Sequence, residues 1–142
     1  MELICTFFGH RNCGDGMVTE LRETLIDLIE NMNVNCFYVG NQGNFDRLVQ
    51  YELKQLKKYY PIECYIVLAY MPTKNQQSEG LECLVPEGIE TVPPRFAIEY
   101  RNRWMLERAD YVVGYVYRPF GGAAKFLKMA IRKNKTVMNL GS

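Results

Sequence analysis

Five short apolar runs alternate with four segments of helical periodicity along this chain, and that rhythm restricts the fold more than any single motif. Leu3-Ile-Cys-Thr-Phe-Phe8 ends at Gly9 and reads as a first strand. Val18, Leu21, Leu25, Leu28, Ile29 and Met32 then recur at helical spacing, with Glu20, Glu23, Asp27 and Glu30 between them. Asp15 or Thr19 is placed to cap that helix. Cys36-Phe-Tyr-Val39 is a second strand, closed by Gly40. A second helix starts at Asn44, its predicted cap, and sets Phe45, Leu48, Val49, Leu53 and Leu56 on one face. Lys54, Lys57 and Lys58 suit the negative end of its dipole, and Pro61 stops it.

Tyr65-Ile-Val-Leu-Ala-Tyr70 is the third strand. Between Met71 and Arg95 periodicity vanishes among Pro72, Gly80, Pro86, Gly88, Pro93 and Pro94, so residues 71–95 read as one long loop. Phe96, Ile98, Trp104 and Met105 mark a third helix that runs to Ala109. Tyr111–Val116 is strand four, Gly122 to Lys133 helix four, and Thr136–Leu140 strand five. This alternation predicts one α/β domain over residues 1–142. Its architecture is a Rossmann-like doubly wound sandwich around a five-stranded, mostly parallel sheet. The ligand of such a sheet lies beyond the C-terminal strand ends, at the switch point.

That rule selects the loops after strands one, two and four. They read Gly9-His10-Arg11-Asn12, Gly40-Asn41-Gln42-Gly43-Asn44-Phe45-Asp46, and Tyr117 to Lys125. All three carry glycine and hydrogen-bonding side chains. In the last, Arg118-Pro-Phe-Gly121-Gly122-Ala123-Ala124-Lys125 joins an apolar strand to a helix through a Gly-Gly step. The first N–H groups of a helix are unsatisfied and partially positive, and the absence of side chains lets an anion approach them. A phosphate seat is expected there. Lys125 stands where the dipole disfavours a cation, which a nearby anion would explain. Arg11 offers bidentate contact to a phosphate or carboxylate, and His10 beside it is a candidate ligand contact. The amides of Asn41 and Gln42 suit ribose or base edges, whereas Asp46 suits the first turn of its helix with or without a ligand.

The step is neither a Walker motif nor Gly-x-Gly-x-x-Gly, so no dinucleotide cofactor is indicated. One histidine and five cysteines without a C-x-x-C pair give no metal site or disulfide framework. Free thiols and the absence of a signal-like start predict a cytoplasmic protein, and no apolar run reaches the ~18 residues of a membrane span. Net charge is +1, which argues against nucleic acid as a partner. The distribution is uneven, however. Residues 1–71 hold six Lys/Arg against nine Asp/Glu, and residues 72–142 hold eleven against seven. Tyr59, Tyr60, Tyr100 and Trp104, on helices flanking the sheet, point to a homo-oligomer, a dimer or higher.

Phe8-Gly-His-Arg11, Tyr38-Val-Gly-Asn-Gln-Gly-Asn-Phe-Asp46, Arg101-Asn-Arg-Trp-Met-Leu-Glu-Arg-Ala-Asp110 and Gly121-Gly-Ala-Ala-Lys-Phe126 together resemble the SLOG (SMF/DprA-LOG) superfamily of Rossmann-like nucleotide-ligand domains. The chain is most similar to small stand-alone bacterial members. The resemblance implies a nucleotide or nucleotide-derived signalling ligand bound by a regulator or sequestering protein. The LOG branch implies an alternative, hydrolysis of the N-glycosidic bond of a nucleoside 5′-monophosphate. Arg101 and Met105 match that branch's Arg-Lys-x-x-Met helix, with Asn102 in place of Lys, and Gly121-Gly122 match its paired glycines. Its catalytic glutamate is replaced by Lys128, which cannot stabilise oxocarbenium-like charge. Asp46 or Glu107 would have to substitute.

Overall fold

The computed structural model of the chain describes residues 2–71 and 80–142. Six strands form one sheet: β1 (Ile4–Gly9), β2 (Cys36–Val39), β3 (Glu63–Val67), β4 (Glu82–Leu84), β5 (Tyr111–Tyr115) and β6 (Thr136–Asn139). Their order is β4-β3-β2-β1-β5-β6 and every pairing is parallel. The helices are α1 (Val18–Asn31), α2 (Gly43–Leu56), α3 (Ala97–Arg108) and α4 (Gly122–Arg132).

Side chains alternate across the strands and build two cores. Cys5, Phe7, Phe37, Val39 and Val113 pack with Leu21, Leu25 and Leu28 of α1 and with Phe45, Val49 and Leu53 of α2. On the opposite face Phe8, Cys36, Tyr38 and Val112 meet Met105 and Leu106 of α3 and Phe126 and Leu127 of α4. Helices therefore cover both faces, as a parallel sheet requires.

The sequence reading is corrected at four places. The sheet has six strands rather than five, because Glu82–Leu84 pairs in parallel with Tyr65–Val67. This three-residue edge strand is too short to show a period, and it lies within the stretch read as one loop. Ile89–Thr91 and Pro94–Phe96 in that stretch are single 3₁₀ turns, and residues 72–79 lie outside the described residues. Neither Asp15 nor Thr19 caps α1: its N-cap is Met17, without a side-chain cap bond. The N-cap of α2 is Gln42 rather than Asn44. Asn44 lies inside the first turn, where its N–H donates to Arg11 O (3.0 Å) and its side-chain amide to Cys13 O (3.4 Å).

Strand order turns back between β1 and β5. Chain running away from β1 on one side leads to β2, β3 and β4, and on the other to β5 and β6. The loops after β1 and β5 diverge there and leave a crevice at the carboxyl edge.

Candidate functional site

A cleft of about 390 Å³ occupies that crevice. The end of β1 supplies its floor through Gly9, His10 and Arg11, the loop after β2 supplies Gly40 and Gln42, and α2 adds Asp46. From the other face of the sheet Arg101 reaches in on α3, with Arg118 and Gly121 from the segment between β5 and α4, and Gly122 and Ala123 from the first turn of α4. The three loops selected in the sequence thus share one mouth.

Two glycines shape it by absence. A Cβ on Gly40 would stand 2.9 Å from Asp46 Oδ2 and 3.1 Å from the Arg101 guanidinium, so Gly40 is the gap through which these groups approach each other. Gly121 has φ +101° and ψ 171°, a backbone region almost confined to glycine. Among the described residues no atom lies within 4 Å of a Cβ built on Gly121 or on Gly122. Gly121 is therefore set by its backbone, and the space before α4 is open. Gly121→Ala should cost about 2 kcal/mol through strain alone, which urea unfolding would read as a lower midpoint at unchanged m-value.

The glycine at the end of β1 has a different origin. A Cβ on Gly9 would stand 2.2 Å from the Phe45 ring, so close packing of α2 on β1 explains this glycine. Gly43 (φ +90°) packs its Cα against the Arg11 backbone. It joins two loops and does not line the cleft.

Positive charge dominates the walls. Arg101 is 2 % exposed; its Nη1 donates to Val67 O (3.0 Å) and its Nε to Asn102 Oδ1 (2.8 Å). The guanidinium of Arg118 lies 5.5 Å from the Tyr117 ring centroid and 5.2 Å from that of Phe120. Its Nε is buried and, among the described residues, has no hydrogen-bond partner. Such an orphan is costly unless something else satisfies it. No side chain caps α4, whose first turn also lacks an acidic residue.

Among the described residues Asp46 is the one carboxylate on these walls. Its Oδ2 accepts the Gln42 N–H (2.9 Å). Burial pushes its carboxyl up to about 6, against the opposing pull of that N–H, Arg101 and Arg11. Burial correspondingly holds the Arg101 guanidinium below its ordinary value, although the negative charge of Asp46 favours it.

Five of the sixteen candidate positions do not line the cleft: Asn41, Gly43, Asn44, Ala124 and Lys125. Asn41 is exposed, Ala124 is buried in the core and Lys125 Nζ pairs with Glu99 Oε1 of α3 at 2.6 Å. The anion beside Lys125 is thus a carboxylate of the chain itself, held below its usual range by the Lys125 and Arg103 hydrogen bonds. Lys125→Met should accordingly change anion affinity by less than about twofold, since exposed pairs contribute little; calorimetric titration checks this. Lys128 donates to Pro119 O (3.1 Å) and stands off the cleft, as does the exposed Glu107.

Sequence reading missed Ile98, Asn102 and Met105, which face the cleft from α3. Their i, i+4, i+7 spacing puts them on one helical stripe with Arg101, a signal present in the sequence.

The chain matches no protein-family model, and no curated protein sequence matches it. Among solved structures it resembles DNA processing protein A (DprA) from Streptococcus pneumoniae, with a TM-score of 0.72 at 16 % identity. The match covers 97 % of this chain and 50 % of that one, so the chain spans about half the length of its structural neighbour. The Rossmann-like α/β fold is shared.

Proposed function

We propose that the cleft binds a nucleotide or nucleotide-derived signalling ligand, with its phosphate at the start of α4, and that the chain is a SLOG-superfamily domain acting as a regulator or sequestering protein. One observation carries this reading. The buried, unpartnered Arg118 Nε stands beside the uncapped, side-chain-free N-terminus of α4 in the same cleft. Among the described residues both features lack a protein partner, and a phosphate oxygen would satisfy both. Arg11 and Arg101 add charge, and Gln42 adds an amide for sugar or base. A cleft of about 390 Å³ falls in the range of small-molecule sites.

Asp46 supports a second reading, a LOG-like phosphoribohydrolase. A carboxyl raised to about 6 beside Arg101 is poised for acid–base work near neutral pH. Lys128 off the cleft supports binding over this alternative. The test is a panel of ribonucleoside 5′-monophosphates, titrated by calorimetry and then incubated with the protein for chromatography of free base. Saturable binding with intact nucleotide is expected. Steady base release contradicts the binding-only reading, and no heat from any nucleotide contradicts the proposal.

Homo-oligomer formation belongs to the same proposal. Tyr59 supports it as an exposed aromatic, whereas Trp104 is half-buried against Tyr38 (5.2 Å) and under Arg108 (4.0 Å). Sedimentation velocity reads the outcome directly.

A further inference from the structure

His10 is the single histidine of the chain and is 3 % exposed, yet it lines the cleft. Its Nε2 accepts a hydrogen bond from the Tyr117 backbone N–H at 3.3 Å. A backbone N–H can only donate, so Nε2 holds its lone pair and the proton of the neutral ring sits on Nδ1. The tautomer is fixed by that contact. Burial and the positive charge of Arg118 both hold the imidazole below its ordinary value, which keeps the ring neutral at pH 7.

The contact also anchors a segment. The Tyr117 ring meets the imidazole edge-on at 4.5 Å, and the Tyr117 hydroxyl donates to Asn12 O at 3.2 Å. Arg118 follows directly in the chain. The loop that carries the unpartnered guanidinium is thereby tied to the end of β1. Among the described residues the Nδ1–H makes no hydrogen bond. Among the described residues the charged groups around the cleft are Arg118 from the loop after β5, Arg11 from the loop of His10 itself, Asp46 from α2 and Arg101 from α3. From α4 come Gly122 and Ala123, with no titratable side chain.

We propose that neutral His10 is a binding residue of this cleft, donating Nδ1–H to a tetrahedral oxyanion shared with Arg118 Nε and the first N–H groups of α4, while its Nε2 holds the Tyr117–Phe120 segment in place. The ligand class is a phosphate ester or its inorganic analogue. A neutral donor suits the position, because Arg118 already supplies the charge and a second cation beside it would be repelled. The proposal rests on the reading of the cleft as an anion site.

Sulfate is the probe of choice, since its charge stays constant near neutral pH and the protein alone titrates. With the imidazole ¹⁵N-labelled, one long-range ¹H–¹⁵N spectrum reports both ring nitrogens, and a single histidine needs no assignment. The expected result is a proton on Nδ1, an unprotonated Nε2, and a shift of Nδ1 on adding sulfate. His10→Gln keeps an acceptor near Nε2 and removes the donor. It should weaken sulfate binding about fivefold, the loss of one hydrogen bond, with Tyr117 amide exchange still slow. His10→Asn keeps a donor near Nδ1 and removes the acceptor, so Tyr117 amide exchange should accelerate. A proton on Nε2, or an Nδ1 unmoved by bound sulfate, overturns the role of His10 and leaves the anion site standing. Failure of sulfate to bind at all overturns both.

Discussion

Asp46→Asn should make this protein more stable at about pH 8, by roughly 3 kcal/mol, and leave it unchanged near pH 4. The direction follows from linkage. The Asp46 carboxyl is raised from 3.8 to about 6 because burial outweighs the attraction of the Gln42 N–H, Arg101 and Arg11. A fold that prefers the neutral acid gains its full preference below the unfolded value and loses it as pH rises through the folded one. Wild-type stability should therefore fall between about pH 4 and pH 6 through this group and stay lower above. Asparagine keeps an oxygen for the Gln42 N–H and never ionises, so the pH dependence of urea midpoints should flatten in the variant. A variant less stable than wild type at pH 8 would show that attraction to Arg101 outweighs burial. A carboxylate kept in a cleft at such cost is where sites and stability part company.

Arg118→Ala should weaken nucleoside 5′-monophosphate binding by about ten- to a hundredfold, the worth of a charge-assisted hydrogen bond to phosphate. Stability should change by less than about 1 kcal/mol. The side chain stacks on two exposed rings, Tyr117 and Phe120, and its buried Nε has no protein partner to strand. Arg118→Lys keeps the charge and loses the planar Nε–H, so it should recover only part of the affinity. Equal affinities for wild type and Arg118→Ala in calorimetry would remove the guanidinium from the site. Large unfolding in the alanine variant would instead make Arg118 a structural residue.

Asp46 and Arg118 both hold polar groups away from water without full compensation inside the chain. These costs gather at one crevice while the two cores around it are regularly packed. Local inconsistency of this kind is expected at sites of function.

Much of the fold is legible because the sequence carries it locally. The apolar stripe of α1, the Cys36–Val39 run and the Tyr111–Tyr115 run each announce their element by period and length. Glu82–Leu84 does not, since three residues cannot display an alternation and edge strands need not be apolar. Side-chain identity does not mark these helix starts: α1 and α2 begin without side-chain caps, although Asp15, Thr19 and Asn44 are of capping type. The mouth was legible through topology: once β1, β2 and β5 are parallel neighbours, their following loops must meet at one edge.

Individual side chains in that mouth were less legible. Lys125 sits in the right turn but faces Glu99, a partner 26 residues away that no local pattern reveals. Gly9 and Gly43 look like ligand glycines and are explained by Phe45 and Arg11. Conversely, the orphaned Nε of Arg118 exists only in three dimensions. Sequence locates the crevice; which groups in it lack partners is a property of packing.

The most direct test of the proposed nucleotide site is an amide chemical-shift titration with adenosine 5′-monophosphate, followed at the backbone N–H groups of Gly122, Ala123 and Ala124 and at Arg118 Nε. The account predicts that these four signals move together along one saturable curve. If they stay still, or if the shifts gather at the opposite edge of the sheet near Tyr60 and Ile62, the start of α4 is not a phosphate seat and the central claim is wrong.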